Sequence, residues 1–456
     1  MIRAELATAA RWVRGELIGS DAVFTGVSSD SRNVQPGALF IALRGERFDA
    51  HDFVAEAATR GASAALVDHR LADPSIRQIV VADTTAALAE LARNWRAQLT
   101  LTAIGVTGSN GKTTTKSLLA HVLRAAGATQ ASHGNLNNEI GLPLSILALD
   151  RDTRFAVLEM GCGKPGDIAH LAAIGQPDVA LVTNVGPAHL ERLGSLENVA
   201  KTKAELYAAL PAGGIAVVNA DEPFAAYFRA LLGARTIIEF GLDAGAAVSA
   251  TIAEVGMTSR FELRVPGSSA WVDLPLPGRH NIANALAAAA AAYALGLDAP
   301  TIAAGLAAAP SVSGRLNAIE INGALLIDDS YNANPASVRA AIDVLAVTPG
   351  ESWLVLGDMR ELGEDQARLH AEIGDYARTH GVRRLLALGP LAAHAAAAFG
   401  ADAQVFADHA AIAAQLQAAL KPGLKVLVKG SRSSAMERVI SALRASTTPG
   451  GHADAV

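Results

Sequence analysis

A glycine-rich segment that carries one lysine is the part of the sequence whose residue types most directly suggest chemistry. Residues 105–113 read Gly-Val-Thr-Gly-Ser-Asn-Gly-Lys-Thr, after an apolar stretch and before a segment of helical character near Thr114. Glycines in such a turn let backbone N–H groups point at phosphate oxygens, and the helix N-terminus adds its positive dipole end. The lysine would reach the β- and γ-phosphates, and the threonine hydroxyl suits Mg²⁺. The segment predicts a nucleotide-binding loop of Gly108, Ser109, Asn110, Gly111, Lys112, Thr113 and Thr114.

The loop departs from the usual G-x-x-x-x-G-K-[ST] pattern in its first half. The fifth residue before Gly111 is Val106 rather than glycine, so that Gly108 supplies the earlier turn. An ordinary glycine-rich turn between a strand and a helix is the alternative. Such a turn would rarely carry Gly-Lys-Thr-Thr at this point, and the nucleotide loop is favoured.

Further polar residues follow the apolar runs that come next in the chain. Glu159 ends one run and His189 lies in the loop after the following one. Because ligands of open parallel sheets collect beyond the carboxyl ends of the strands, Glu159 is a candidate Mg²⁺ ligand and His189 a candidate site residue. A strand-end salt bridge and a surface or capping histidine are the alternatives. Lys201 and Lys203, two positions apart on a predicted helix, point in different directions, and a solvated helix face is the simplest interpretation of both.

The elements that must position these residues follow an α/β pattern. From residue 101 onward, short β-branched runs alternate with helical stretches, which is typical of parallel sheets with crossover helices. Strands are predicted at 103–107, 155–159, 179–184, 215–219, 325–328, 353–356, 384–388 and 425–428. Shorter strands at 25–30, 39–43 and 64–67 and a helix at 52–60 set the first hundred residues apart. A β-rich stretch at 237–277 is expected to decorate the end of the central sheet, and the tail 446–456 has too little apolar surface to order itself.

Turn residues cluster near Leu99 and at 310–314 and divide the chain into three predicted domains. We expect an α/β fold with a small N-terminal α/β domain at 1–99. A central P-loop ATPase-like domain with a parallel sheet would follow at 100–312, and a C-terminal Rossmann-like α/β domain at 313–456.

Charge and composition exclude several classes of function. The 456 residues carry a formal net charge of −6 that is spread along the chain, so no nucleic-acid partner is expected. The single cysteine, Cys162, suits a reducing compartment, which favours the cytoplasm. The uncharged, alanine-rich segment 281–297 predicts a buried soluble helix rather than a membrane span, because alanine inserts weakly. We expect a monomer.

Together the motifs resemble the Mur ligases, the ATP-dependent amide-forming enzymes of peptidoglycan precursor synthesis. The resemblance covers essentially the whole chain, in the family's order and at similar intervals. Its segments are 106–114, Glu159, His189, Gly-Arg-His-Asn-Ile-Ala-Asn at 278–284 and Asp-Asp-Ser-Tyr-Asn-Ala-Asn-Pro at 328–335. Segments at 29–32, 37–45, 135–141, 329–335, 357–363 and 429–432 are similar to the family member that adds a terminal dipeptide. The Asp-Asn-Pro-Arg segment expected of the member that adds the third amino acid is absent from the sequence.

The resemblance implies an ATP site with two Mg²⁺ ions. Lys112 and Thr113 would hold the triphosphate and the first Mg²⁺, with Glu159 beside that ion and His189 near the second. Lys203 matches the family's carbamylated lysine, in which carbon dioxide on the amine turns a cation into a carboxylate-like metal ligand.

Four further residues would complete the nucleotide site. The resemblance implies that Asn281 and Asn284, three apart on one helix face, meet the adenine. Arg315 and Asp329, from the third domain, would approach the phosphates and the ribose. The site would thus be assembled by two domains that close on one another.

The implied substrates are UDP-N-acetylmuramoyl-tripeptide and D-alanyl-D-alanine. Hydroxyls, arginines and turn backbone in the first domain suit uracil and diphosphate, and the candidates are Ser29, Asp30, Ser31, Arg32 and Arg44. The muramoyl-peptide end would be oriented by Asn137 and Asn138, for which a plain loop with capped turns is the alternative. The incoming dipeptide would meet Tyr331, Asn332 and Asn334, for which an Asn-Pro turn is the alternative.

Two other functions remain open from the sequence. Folate polyglutamate and cyanophycin ligases share the loop and the carbamylated lysine, although the pattern at 29–32 argues against them. A nucleotide-binding regulatory module with P-loop architecture would bind ATP without a two-domain acceptor pocket. The sequence also leaves open whether the third residue of the tripeptide is meso-diaminopimelate or lysine.

Overall fold

A computed structural model of the chain describes residues 1–45, 48–72, 76–243 and 245–447, and their strands form five sheets. Three of these sheets have five or six strands and lie in successive thirds of the chain. The expected α/β class with three domains is confirmed by this architecture. The tail predicted to lack order begins at residue 446. Residues 446 and 447 are the end of the last helix, and the rest of the tail, from 448 onward, lies outside the described residues.

The first hundred residues form two small sheets and three helices. In chain order the elements are β1 (Arg3–Glu5), α1 (Leu6–Trp12), β2 (Glu16–Ile18), β3 (Val23–Thr25), β4 (Val27–Ser28), β5 (Leu39–Ile41), α2 (Val54–Thr59), β6 (Ala64–Val67), β7 (Arg77–Val80) and α3 (Thr84–Ala97). Strand β1 pairs with β3, and the others form a mixed sheet in the order β2-β7-β6-β5-β4. The strand predicted at 25–30 is divided, because Gly26 takes a φ of 78° between β3 and β4. The helix predicted at 52–60 is a 3-10 turn (Ala50–Phe53) followed by α2.

The central sheet is parallel throughout and places the phosphate loop at its middle. Its elements are β8 (Thr102–Thr107), α4 (Lys112–Leu123), β9 (Thr129–Ala131), α5 (Gly141–Leu147), β10 (Phe155–Glu159), α6 (Asp167–Gly175), β11 (Val179–Val182), α7 (Leu190–Leu193), α8 (Leu196–Ala208), β12 (Ile215–Asn219), α9 (Ala225–Leu232) and β13 (Thr236–Phe240). The strand order is β13-β12-β11-β8-β10-β9. Since β8 lies between β10 and β11, the loop after β8 is flanked by the segments that follow both neighbours.

A small antiparallel sheet and two helices complete the central third. They are β14 (Ser249–Val255), β15 (Ser259–Val265), β16 (Ser268–Leu274), α10 (Arg279–Ala294) and α11 (Ala299–Ala307). The β-rich stretch predicted at 237–277 therefore joins the central sheet only through the edge strand β13. Strands β14 to β16 pair with one another in a separate sheet. Alanines 285 and 287–292 of α10 are all buried, in one core with α4 and the antiparallel sheet. Among the described helices, none combines the length and the apolar character that a membrane crossing requires.

The last third is a six-stranded sheet with helices on both faces. Its elements are β17 (Asn317–Ile321), β18 (Ala324–Asp329), α12 (Pro335–Val347), β19 (Glu351–Gly357), α13 (Gln366–Thr379), β20 (Arg384–Leu388), α14 (Ala392–Phe399), β21 (Ala403–Phe406), α15 (His409–Ala419), β22 (Leu424–Lys429) and α16 (Glu437–Thr447). The order is β17-β18-β22-β19-β20-β21, and only the β17–β18 pair is antiparallel. Separate apolar cores fill the two faces.

One close helix contact in the last third generates a stability prediction. Gly374 lies inside α13, where a Cβ would overlap the carbonyl oxygen of Ala395 in α14. We expect Gly374→Ala to lower the free energy of unfolding by about 1–3 kcal/mol, because overpacking against backbone outweighs alanine's better helix propensity. Denaturant unfolding of the two proteins measures the change. Equal or greater stability of the variant would mean that the helices separate without cost.

Candidate active site

A cavity of about 860 Å³ opens where the carboxyl ends of the central strands face the last third of the chain. Its wall combines the phosphate loop, the segments after β10 and β11, the start of α10 and the segment after β18. The predicted site residues that line it are Ser109, Asn110, Gly111, Lys112, Thr113, Thr114, Asn137, Asn138, Glu159, His189, Asn281, Asn284, Arg315, Asp329, Tyr331, Asn332 and Asn334. Residues far apart in sequence are thus brought to one place by the fold.

Two glycines allow the phosphate loop to lie against its neighbours. Gly108 has a φ of 149° and Gly111 a φ of 77°. A Cβ at Gly108 would overlap the hydroxyl of Thr183, and a Cβ at Gly111 would overlap the side-chain oxygen of Asn284. Helix α4 starts at Lys112, two residues before the expected Thr114, because Gly111 ends the turn in a left-handed conformation.

The segment after β11 holds the other side of the loop. Strand β11 ends at Val182, and the next two residues, which were expected to extend it, instead bond to the loop. The Thr183 hydroxyl donates to the Asn110 carbonyl at 2.6 Å, and the Asn110 N–H donates to Asn184 Oδ1 at 2.8 Å. Lys112 Nζ folds back onto the Gly108 carbonyl at 2.7 Å, and burial lowers the pKa of this lysine.

Glu159 is a buried carboxylate at the end of β10. Its Oε1 accepts a hydrogen bond from Asn137 Nδ2 at 2.8 Å, and its Oε2 lies 3.2 Å from Lys116 Nζ. Burial acts to raise the pKa of Glu159, but the charges of Lys116 and Lys112 outweigh it and hold the pKa below its ordinary value. Within the described residues Oε2 accepts no hydrogen bond and has only the ion pair with Lys116. With the Thr113 hydroxyl on the same wall, this oxygen donor set fits Mg²⁺.

Lys203 is buried in α8, directly behind the cavity wall. Its side chain is 1% exposed, and Nζ lies 3.8 Å from the sulfur of Cys162, which lines the cavity. Burial lowers the pKa of Lys203 to about 8, although Cys162 opposes the shift. Lys201 is exposed. The two lysines point in different directions, as their spacing indicates, and the solvated-face interpretation applies to Lys201 alone.

His189 faces the last third of the chain across the cavity. It takes a left-handed φ of 55° at the start of α7, and its Nδ1 lies 2.5 Å from Glu361 Oε2. The hydrogen bond to His189 lowers the pKa of Glu361. Glu361 has no predicted role, although it belongs to the segment 357–363 that carries the family resemblance. Its φ of 64° is a left-handed backbone conformation that the residue types of this segment do not predict.

Two segments of the last third, one just before β17 and one after β18, contact the phosphate loop directly. Arg315 Nη2 donates to the Thr113 hydroxyl at 3.0 Å, and its guanidinium carbon lies 4.6 Å from the centre of the Tyr331 ring. Asn334 caps α12 with its side-chain oxygen and donates through Nδ2 to Asn110 Oδ1 at 2.7 Å. The Asn-Pro turn alternative is therefore also present, because the same asparagine caps a helix and reaches the loop.

A buried ion pair holds the end of β18 and the segment that follows it. Lys429 Nζ lies 2.5 Å from Asp329 Oδ2 and donates to the Asn332 carbonyl at 2.9 Å. Burial raises the pKa of Asp329, against the charges of Lys429 and Arg315. Lys429 is a second site residue that the sequence analysis did not assign, although it opens the quoted segment 429–432.

The asparagines of α10 pack onto the phosphate loop. Asn281 Nδ2 donates to the Pro277 carbonyl at 2.8 Å, and Asn284 Nδ2 donates to Asn281 Oδ1 at 3.0 Å. Both side chains are buried, and Asn284 abuts Gly111. Asn138 has a similar local role in the opposite wall, where its side-chain oxygen accepts the Gly141 N–H at 2.8 Å.

The candidates of the first hundred residues do not line this cavity. Asp30 accepts hydrogen bonds from Arg32 at 2.8 and 2.9 Å, and Ser31 donates to Glu56 at 3.0 Å. Arg44 pairs with Asp68 and, at 2.5 Å, with Asp49, while Ser29 is half-buried beside this group. Any site formed by Ser29, Asp30, Ser31, Arg32 and Arg44 is separate from the phosphate loop.

Comparisons with known proteins place the chain in a family. Residues 23–96 match the model described as Mur ligase family, catalytic domain, residues 106–292 the Mur ligase middle domain, and residues 314–432 the Mur ligase, glutamate ligase domain. The UDP-N-acetylmuramoyl-tripeptide--D-alanyl-D-alanine ligase of Escherichia coli (strain K12) is 42% identical over 98% of this chain and 100% of its own length. The chain belongs to the Mur ligase family.

Solved structures of Mur ligases share the fold over almost the whole chain. MurF from Acinetobacter baumannii superposes with a TM-score of 0.91 at 35% identity, over 97% of this chain and 99% of that one. The MurF ligase of Thermotoga maritima, solved in complex with ADP, gives a TM-score of 0.83 at 33% identity, over 92% and 97% of the two chains. The family resemblance of the motifs is thereby confirmed.

The glycine contacts of the phosphate loop generate a binding prediction for this Mur ligase. We expect Gly108→Ala to weaken ADP binding at least about tenfold, because the new Cβ displaces Thr183 and shifts the loop amides. Calorimetric titration measures the affinity, and thermal unfolding reports the fold. Gly213→Ala is the matched control, since no atom lies within 4 Å of a Cβ at that exposed turn. Unchanged ADP affinity in the Gly108 variant would contradict the assigned role of the loop.

Proposed function

We propose that this Mur ligase joins D-alanyl-D-alanine to UDP-N-acetylmuramoyl-tripeptide in peptidoglycan precursor synthesis, using ATP and releasing ADP and phosphate. The observation that carries the proposal is the single cavity in which the phosphate loop and the Tyr331–Asn334 segment face one another. The name and the near-complete coverage of the Escherichia coli relative support the same step. Phosphoryl transfer and amide formation need both substrates beside one nucleotide, and the cavity offers that arrangement.

We propose that the triphosphate binds along the loop from Gly108 to Thr114. Backbone N–H groups and the α4 dipole would meet its oxygens, and Lys112 would leave the Gly108 carbonyl for the β- and γ-phosphates. Arg315 already reaches Thr113 from the opposite wall and would add a second cation at the phosphates. Asp329, beside Arg315, is proposed for the ribose, and the buried Asn281 and Asn284 for the adenine side.

Two Mg²⁺ ions are proposed beside these phosphates. Thr113 and Glu159 would hold the first, because both are oxygen donors on one wall and Glu159 is ionised. His189 and carbamylated Lys203 would hold the second. The lowered pKa of Lys203, about 8, leaves about a tenth of its amines neutral at pH 7, far more than an ordinary lysine, and the neutral amine is the form that adds carbon dioxide.

The acceptor substrate and the dipeptide are assigned to opposite walls. Asn137 and Asn138 would orient the muramoyl-peptide end beside Glu159, and Tyr331, Asn332 and Asn334 would receive D-alanyl-D-alanine. The UDP part would reach the separate group formed by Ser29, Asp30, Ser31, Arg32 and Arg44. Residues 1–99, 100–312 and 313–456 would then be the precursor-binding, ATP-binding and dipeptide-binding domains.

The reaction would proceed in two balanced steps. The terminal carboxylate of the tripeptide attacks the γ-phosphorus, and the bond between this phosphorus and the β-phosphate oxygen breaks. The products of this step are ADP and an acyl phosphate on the tripeptide. The dipeptide amine then attacks the acyl carbon, phosphate leaves with the electrons of the C–O bond, and the amine nitrogen loses a proton. Mg²⁺, when bound, offsets the repulsion between the two anions of the first step. Lys112 and Arg315 would neutralise the transferring group, and closure of the two walls around the ligands would exclude water.

The substrates also bear on where and how the enzyme acts. A UDP-linked precursor and ATP are cytoplasmic metabolites, and a single half-buried cysteine agrees with a reducing compartment. We therefore propose a cytoplasmic enzyme. It is proposed to act as a monomer, because both walls of the cavity come from one chain.

The first test is substrate-dependent phosphate release. We expect phosphate release from ATP only when UDP-N-acetylmuramoyl-tripeptide and D-alanyl-D-alanine are both present, with a pentapeptide product of the expected mass. Release that requires a different amine would assign the enzyme to another ligase step. ATP binding without release under either condition would favour the regulatory module.

The second test concerns Lys203. We expect Lys203→Ala to lower the ligation rate by about two orders of magnitude, since a metal ligand is removed, and formate or acetate to restore part of the rate by entering the space left by the side chain. Initial rates with sodium formate are compared with rates in sodium chloride of equal ionic strength. Lys201→Ala, at an exposed position of the same helix, serves as the control and should retain the full rate. A fully active Lys203 variant would exclude the carbamate.

A further inference from the structure

Lys116 is a buried lysine of α4 that the mechanism above does not use. It lies one helical turn after Lys112, so both lysines are on the face of the helix that looks toward the end of β10. Its side chain is 4% exposed, and it does not line the cavity. A charged group placed this deeply is costly unless it is paired, and its partners therefore indicate what it does.

The partners of Lys116 belong to two segments of the acceptor wall. Its Nζ donates to the Gly134 carbonyl at 2.8 Å and lies 3.2 Å from Glu159 Oε2. Glu159 Oε1 is held from the other side by Asn137, whose carbonyl accepts the Gly161 N–H at 2.8 Å. Lys116 thus joins the phosphate-loop helix, the segment that carries Asn137, and the carboxylate proposed for Mg²⁺.

The two oxygens of Glu159 have unequal partners. Oε1 has a directional hydrogen bond from Asn137, whereas Oε2 has the ion-pair contact with Lys116 and no hydrogen bond within the described residues. Coulomb attraction draws Oε2 toward the ammonium group that it faces at 3.2 Å. The position of the Lys116 ammonium group therefore sets the direction in which Oε2 points.

We propose that Lys116 is a positioning residue that keeps the Glu159 carboxylate aimed for Mg²⁺. It acts through Glu159 and Gly134 and touches neither ATP nor the metal. Without it, Glu159 loses its ion pair at Oε2, and the metal would lose a preorganised ligand. Groups that orient metal ligands in this way typically change metal affinity by about 10–100-fold. The inference rests on the proposed placement of Mg²⁺ at Glu159.

The experiment measures how much Mg²⁺ strengthens ADP binding, and it does not depend on ligation. ADP is titrated calorimetrically into the full chain with MgCl₂ and with EDTA, and the ratio of the two affinities is the metal enhancement. We expect Lys116→Met to reduce this enhancement about tenfold and to leave the affinity in EDTA unchanged. Lys116→Gln, which keeps a donor for Gly134 but not the charge, should show the same loss and replaces the Met variant if that protein does not fold.

Two further variants make the result specific. Lys425→Met removes a buried lysine of β22 that donates to the Leu345 carbonyl, and it should keep the full enhancement. Glu159→Gln should reduce the enhancement more than either Lys116 variant does while leaving a measurable part of it, and adding Lys116→Met to it should cause no further loss, because the lysine acts through the carboxylate.

The outcomes separate this inference from the proposed function. If Glu159→Gln loses the enhancement while both Lys116 variants retain or increase it, the metal site stands and the positioning role of Lys116 is wrong. If the Lys116 and Glu159 losses add, Lys116 acts by another route, and the inference is likewise overturned. If Glu159→Gln keeps the enhancement, the metal is held elsewhere and the inference fails with that placement, whereas the ligation assay is judged independently.

Discussion

The close approach of the phosphate loop to its neighbours is the constraint on which the rest of the site depends. Gly108 and Gly111 lie where any Cβ would meet Thr183 or Asn284, so the backbone itself is packed between β11 and α10. This packing starts α4 at Lys112 and aims its first amides into the cavity. It also explains why α10 is both alanine-rich and buried, since small side chains let it approach α4 closely.

The same packing places several lysine side chains in a buried region. Lys112 and Lys116 both act on the Glu159 carboxylate, and Lys203 lies buried beside Cys162, where the charge of Lys112 also acts on it. Burial lowers the pKa of Lys112 and of Lys203, which means that the folded protein carries these ammonium groups at a cost. Anions relieve that cost. A triphosphate beside Lys112 would pair with that cation, and carbamylation of Lys203 would replace its cation by an anion that a bound metal ion would neutralise, so ligand binding would recover part of the free energy that burial of these groups costs.

Much of the fold could be predicted because its signals are local. The strands at 155–159, 215–219 and 384–388 were placed to the residue, since long apolar runs in parallel sheets are bounded by turn residues. The predicted and observed strands differ where tertiary contacts determine the end of a strand. Thr183 and Asn184 look like strand residues but bond to the loop instead, and Gly26 divides what reads as one strand.

The candidate site likewise contains residues that local sequence predicts and residues whose properties depend on tertiary contacts. The loop and Glu159 are visible in the sequence because their chemistry follows from residue type and position after a strand. Lys203 acquires its character from burial, and Glu361 from a left-handed backbone that brings it to His189 from more than a hundred residues away. Such properties belong to the packed chain, and only the resemblance to a family pointed toward them.

Among the described residues, polar side-chain pairs join the two walls, and this fits a site that must open. Arg315 with Thr113, Asn334 with Asn110 and Glu361 with His189 each join one side chain to another across the cavity. Half-exposed polar pairs of this kind contribute little net stability, because water replaces them readily. Each also ends on a group that the proposed mechanism assigns to ATP or Mg²⁺. Ligand binding would therefore exchange wall-to-wall contacts for contacts through the ligand, so that the closed arrangement is held by the nucleotide itself and is released once ADP and phosphate leave.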